Sequence, residues 1–159
     1  PICCYNQFRK RASLSSSSLS IVSELKSGSA WYVPGGCSTI GRLFNDACGR
    51  YAFAGDKHSG SIPLAFETVF DKAGDADVWT IKYNRDRDMT YSDLKADYIG
   101  YTGFKAFKTR NIYGCNTAKV PFYEETPFRP DYLLSDLIQI LHPEIGDLGG
   151  LRYFCKLNE

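Results

Sequence analysis

The spacing of apolar and polar positions divides this chain into short strands and amphipathic helices. Residues 21–25, Ile-Val-Ser-Glu-Leu, can form a first strand. Ile40, Leu43, Phe44 and Ala47 recur at helical spacing, and residues 51–54 read as a short strand. Phe66, Val69, Phe70 and Ala73 fall at i, i+3, i+4 and i+7, which predicts the buried face of a second helix, capped by Ser61 and ended by Gly74. The strongest strand signal is Val78–Tyr83, bounded by Asp77 and Asn84. Thr90 with Asp93 three residues on opens a third helix as a capping box. Residues 111–115 give another strand. Residues 131–142 give the clearest helix, with Leu134, Leu137, Ile138 and Leu141 on one stripe and Pro130 and Pro143 at its two ends. Residues 151–157 read as a closing strand. Strands alternating with helices over this length imply an α/β fold: three layers, α/β/α and Rossmann-like, around a mostly parallel sheet.

Residues 31–48, WYVPGGCSTIGRLFNDAC, form a turn from a strand into a helix. An aromatic pair meets Pro34-Gly35-Gly36, and Ser38 or Thr39 can cap the helix that follows. The helix start offers free N–H donors and the positive end of the dipole. In α/β proteins such turns lie at the carboxyl edge of the sheet, where ligands bind.

Composition narrows the classes. The 159 residues suit one domain. With 19 basic and 18 acidic residues the chain lacks the basic surplus of a nucleic-acid binder. No apolar run is long enough to cross a membrane. Residues 1–11 lack the apolar centre of a signal peptide, so an export leader is expected to lie outside these residues. Residues 1–19 carry Arg9, Lys10 and Arg11 and then a serine-rich run, a composition expected to form a flexible arm. Residues 20–159 form the single α/β unit. The six cysteines show no CxxC pair, and His58 and His142 lack zinc-site spacing, so no metal site is expected. Their pairing stays open. Cys37 and Cys115 lie in loops after strands and are candidates for proximity, whereas Cys48 and Cys155 read as small buried apolar residues.

Walker A, GxGxxG, GxSxG and HExxH motifs are all missing from the sequence. Asp56, His58 and Ser59 cluster locally, but triads are assembled by geometry from separate segments. Glu124-Glu125 reads as a solvent-facing pair. A small α/β hydrolase-like or redox enzyme using Asp56/His58 or a cysteine is the alternative function.

Several segments resemble one family. PLAFETVFDKAGDADVWTI, a helix bearing one glutamate followed by a turn and an apolar strand, is similar to the second lobe of periplasmic solute-binding proteins for iron–siderophore, haem and cobalamin. Residues 104–113, FKAFKTRNIY, resemble that family's aromatic, Ala-Val-Lys and Val-Tyr strand segment. Residues 130–144 resemble its last helix, which commonly ends in His-Pro-Glu, and WYVPGG fits the start of the second lobe. YGCNT and PFYEETPFRPDYLL are similar to versions from Bacteroidetes-type bacteria. Because the chain is about half the family's length, the first lobe and linking helix are expected to be missing.

The resemblance implies the substrate-recognition component of an ABC importer: periplasmic or anchored on that side of the membrane as a lipoprotein, without catalysis and without a cofactor. Its partners would be a metal chelate and a membrane permease, with no nucleic acid. An exposed face that normally meets the other lobe favours a homodimer. By motif position, Glu67 is the candidate for docking on the permease, and it also reads as a solvated helix residue. The candidate ligand contacts are Trp31, Tyr32, Gly35 and Gly36 in the first turn. His58 and Ser59 follow the second strand, Asn84 and Arg85 the third, and Asn116 and Tyr123 the next. Aromatics would pack on the ligand and Arg85 would pair with an anionic chelate oxygen. Each of these also reads as a structural turn residue.

Overall fold

A computed structural model describes residues 2–159 of the chain; Pro1 lies outside the described residues. The elements in order are α1 (Ile2–Ser13), β1 (Ser20–Ser23), β2 (Lys26–Ser27), β3 (Ala30–Pro34), α2 (Thr39–Asp46), β4 (Arg50–Tyr51), β5 (Ser61–Leu64), α3 (Phe66–Ala73), β6 (Val78–Tyr83) and α4 (Tyr91–Asp97). A 3-10 turn (Ile99–Gly103) then leads to α5 (Lys105–Lys108), β7 (Ile112–Asn116), α6 (Phe122–Glu125), α7 (Pro130–Leu141) and β8 (Cys155–Lys156).

The central sheet has five strands in the order β4-β1-β6-β7-β8. All its pairings are parallel except β7 with β8. Parallel neighbours need crossovers, and the helices of those crossovers cover both faces of the sheet. This is the α/β architecture with a mostly parallel sheet that the pattern predicts. On one face lie α2 and α7, with α1 packed on α7. On the other lies an aromatic cluster: Trp79 of β6 stacks with Trp31 at 5.8 Å, and Phe104, Tyr101 and Phe66 close around them.

A second, antiparallel sheet, β2-β3-β5, is absent from the sequence expectation. Its β5 occupies the residues where Ser61 was expected to cap a helix; α3 instead begins at Phe66 with Ala65 as its N-cap and no side-chain cap. Pro63 is tolerated there because β5 is an edge strand. The closing strand is shorter than predicted, only Cys155–Lys156. Ser38 caps α2 by accepting a hydrogen bond from Gly41 N, and Thr90 and Asp93 form the full capping box of α4.

The expected flexible arm is also corrected. Residues 2–13 form α1, whose Ala12 is buried and whose Tyr5 and Phe8 pack half-buried on the core. Tyr5 Oη donates to Asp46 at 2.6 Å. The serines that follow are ordered by one carboxylate: Ser15 Oγ and Ser17 Oγ both donate to Glu144, the latter at 2.5 Å. These two bonds, Ser15 first, hold the Glu144 carboxyl down to about 2. Fully buried His142 donates from Nε2 to the Ala47 carbonyl at 2.6 Å. Composition misleads here because hydroxyls with no apolar surface can still be fixed by a fitted acceptor.

Asp77 ties together the amino ends of β1 and β6. It accepts from Ser20 N at 2.9 Å, Ser20 Oγ at 3.0 Å and Lys105 Nζ at 2.5 Å. All six cysteines are free, so Cys37 and Cys115 are not joined. Cys115 is the buried one, its thiol pushed up to about 12 by burial, whereas Cys155 is exposed and Cys48 half-buried, against the expectation for both.

Candidate functional site

A cleft of about 700 Å³ opens where β1, β6 and β7 end. Glu24 and Leu25 directly follow β1, Lys82 and Tyr83 end β6 with Asn84 next, and Thr117 directly follows β7. The small sheet contributes Ser27, Tyr32, Pro34 and Ser61, the start of α2 contributes Ser38, Thr39 and Ile40, and α6 contributes Tyr123. The site therefore sits at the carboxyl edge of the parallel strands, the usual place for a ligand in an open α/β sheet.

The aromatic pair of the first turn is divided between core and cleft. Successive side chains on a strand point to opposite faces. Tyr32 lines the cleft and is 49% exposed, while Trp31 is 0% exposed within the aromatic cluster. Trp31 is thus corrected from ligand contact to core residue. It still serves the site: its Nε1 donates to the Ser23 carbonyl at 3.0 Å, and Trp79 Nε1 donates to the Glu24 carbonyl at 2.9 Å. Two buried indoles thereby hold the chain end of β1 in place. Glu24 turns there with φ 70°, the left-handed region, and its N–H donates to Thr80 O at 2.9 Å.

That turn aims Glu24 at Lys82, with Nζ 2.9 Å from Oε1 and side chains 23% and 21% exposed. Lys82 Nζ also lies 5.2 Å from the centre of the Phe122 ring. Sequence reasoning missed this pair. Its signal was present: a lysine near the end of the mainly apolar strand VWTIKY, and a glutamate near the end of the 21–25 segment. Glu24, Ile40 and Lys82 also line a small slot of about 20 Å³ beneath the cleft, together with Ser23. The Ser23 hydroxyl is fully buried and has no hydrogen-bond partner among the described residues.

The remaining candidates separate by geometry. Ser59, Asn84 and Tyr123 line the cleft, and Tyr123 is 63% exposed. Gly35 and Gly36 fit tight backbone packing: a Cβ on Gly35 would strike the carbonyls of His58 and Gly60, and one on Gly36 those of Ala54 and Asp56. Their close approach binds the rim loop to α2, with Gly35 N donating to Gly60 O at 2.8 Å and Cys37 N to His58 O at 3.1 Å. Arg85, expected to pair with an anionic chelate oxygen, does not line the cleft and pairs with Asp97 at 2.8 Å. Asn116 is buried away from the cleft, and its amide donates to Arg85 O at 2.8 Å and to Asp88 Oδ1 at 3.1 Å, so it braces the loop after β6.

His58 is exposed and sits beside Asp56, Nδ1 to Oδ1 at 2.9 Å. The same carboxylate accepts from His58 N at 2.8 Å, and that backbone bond is the main reason its pKa lies below the usual carboxylate range. This is a local turn closed on itself; among the described residues no serine or cysteine side chain is hydrogen-bonded to the ring. Glu67 is exposed in the first turn of α3. Among the described residues no three His, Cys, Asp or Glu side chains gather to hold a metal ion, and no helix is long and apolar enough to cross a membrane.

Residues 8–118 match the family described as periplasmic binding protein. An uncharacterized lipoprotein of Methanocaldococcus jannaschii is 31% identical over 128 residues, which is 80% of this chain and 30% of that protein. The TroA-like periplasmic binding protein FepB from Veillonella parvula superposes with a TM-score of 0.67 at 15% identity, over 99% of this chain and 54% of its own. Staphylococcus aureus IsdE, solved with heme, gives 0.64 at 15% identity over 88% of this chain and 54% of its own. An ABC-type Fe3+-hydroxamate transport protein from Saccharomonospora viridis gives 0.56 at 13% identity over 82% and 46%. At these identities the structural likeness is one of fold. The chain spans about half the length of these solved neighbours and 30% of the curated relative.

Proposed function

We propose a function from one established premise: the chain belongs to the periplasmic binding protein family. It acts as one wall of a solute-binding cleft, recognising a metal chelate for an ABC importer without catalysing any reaction. The cleft at the carboxyl edge of β1, β6 and β7 carries this reading, because it combines exposed tyrosines with unengaged hydroxyls on a rigid sheet edge. Tyr32 and Tyr123 pack on the ligand, while Ser59 and Asn84 bond to its periphery.

The solved neighbours supply the chelate classes. One was solved with heme and another belongs to a ferric-hydroxamate system. Cobalamin completes the set that the sequence resemblance implies. Glu67 contacts the permease, where an exposed charge adds orientation more than affinity. The site of action is the periplasmic face of the membrane, in keeping with the lipoprotein relative. Self-association of two copies through the cleft face is the third partner expected.

Titration of the purified chain with ferric hydroxamate, haem and cobalamin, followed by tyrosine and tryptophan fluorescence, tests this. Saturable binding of at least one, lost in Tyr32→Ala, is expected. Absence of binding to all three, together with ester hydrolysis abolished by His58→Ala, would sink it in favour of the Asp56–His58 pair as an active site.

A further inference from the structure

We infer that this wall of the cleft is matched to a chelate whose facing surface is uncharged and rich in hydrogen-bonding groups, and that the Glu24–Lys82 pair selects against anionic chelates. The inference rests on the solute-binding reading above and narrows its ligand.

Among the described residues lining the cleft, Glu24 and Lys82 alone are charged, and they neutralise each other at 2.9 Å. Three cations after β6 and β7 are engaged by carboxylates, Arg85 by Asp97 at 2.8 Å, Arg87 by Asp93 at 2.7 Å and Lys119 by Asp88 at 3.2 Å, while Lys57 of the rim loop does not line the cleft. The rest of the polar lining consists of hydroxyls and one amide. Ser27, Thr39, Ser59 and Tyr123 make no side-chain hydrogen bond among the described residues, so they are available to amide or hydroxyl groups of a neutral ligand.

An anionic ligand meets two poor choices. It can stay clear of Lys82 and face the Glu24 carboxylate, a like charge. Otherwise it can capture Lys82 and leave a largely buried carboxylate without its partner, which is strongly unfavourable. Neither member of the pair can easily withdraw. Glu24 is fixed on both sides of its backbone, by the bonds to Thr80 and Trp79, and Lys82 lies over the Phe122 ring. The pair therefore acts through its fixed geometry as a filter on ligand charge.

The test uses the full 159-residue chain, isotope-labelled and followed by amide NMR. Two gallium chelates of similar size serve as diamagnetic probes, a charge-neutral trihydroxamate and a trianionic tricatecholate. The wild type should bind the neutral chelate on the order of ten-fold more tightly. Glu24→Gln should raise affinity for the tricatecholate by on the order of ten-fold while leaving the trihydroxamate nearly unchanged. If the variant fails to fold, the wild-type preference alone decides. Equal or tighter wild-type binding of the tricatecholate overturns this inference and leaves solute binding standing, as does a Glu24→Gln variant that shifts both chelates alike. Failure of the wild type to bind either chelate at millimolar concentration overturns this inference, and the solute-binding reading falls with it only if haem and cobalamin fail to bind as well.

Discussion

The two ends of the central sheet use similar side chains to opposite effect. At the amino end Asp77 takes Ser20 and Lys105, Glu144 takes Ser15 and Ser17, and His142 bonds the end of α2. The polar groups there satisfy one another. At the carboxyl end Glu24 pairs with Lys82 and Ser38 and Thr117 bond to backbone carbonyls, but the hydroxyls of Ser27, Thr39, Ser59 and Tyr123 have no side-chain hydrogen bond among the described residues. Serine and carboxylate content therefore does not distinguish a fastening from a binding surface; the placement of acceptors does.

The comparison is broken most severely through the residues beneath the open end. Trp31→Ala should cost about 3–5 kcal/mol in urea unfolding, because it empties the aromatic cluster. Tyr32→Ala, one residue on, should change stability by no more than about 0.5 kcal/mol. Equal losses at the two positions would erase the distinction between floor and surface.

Next comes the fastened end. Asp77→Asn should cost about 1.5–3 kcal/mol, since it weakens charge-assisted bonds joining β1, β6 and α5. Asn84→Ala at the open end should stay within about 0.5 kcal/mol by the same measurement.

Acid should loosen the fastened end. The carboxyls of Glu144 and Asp77 both lie below their ordinary range in the folded chain. A depressed folded value means that the bonded form stabilises the fold above the unfolded pKa and that this stability is lost as pH falls. For Glu144 the window runs from the unfolded value of about 4.3 down to about 2. The melting temperature of Glu144→Gln should therefore fall less steeply over that window than the wild type's. Identical slopes would remove Glu144 from the account. The smallest effect is expected at the seam between the ends: Ser23→Ala removes an unpartnered buried hydroxyl and should raise stability by up to about 1 kcal/mol, read as a small gain in the urea midpoint.

Local signals in the sequence were reliable wherever local chemistry decides the structure. Thr90–Asp93, Ser38 and the two prolines around α7 each act within one turn, and each marks its element correctly. The α/β class needs only the alternation of strands and helices, whereas the strand order does not follow from it. What was hidden depends on residues distant in sequence. The serine-rich run is ordered by Glu144, the aromatic pair is split by a sheet whose other strands are themselves short, and Arg85 and Asn116 are claimed by Asp97 and the loop after β6. The Glu24–Lys82 pair becomes visible only once β1 and β6 are known to be neighbours. Of the proposed contacts, Ser59 and Asn84 reach the cleft from loops, Tyr32 from the exposed face of β3 and Tyr123 from α6.

The seam between the rim loop and α2 bears on how this chain can change over generations. Gly35, Gly36 and Gly41 sit against carbonyl oxygens with no room for a side chain, whereas Gly55 and Gly60 on the same loop face open space. Sequence drift can thus rewrite the tip of the loop residue by residue while the seam stays unaltered. Ligand preference at the cleft mouth is free to diverge among descendants of this chain without the sheet edge losing its shape.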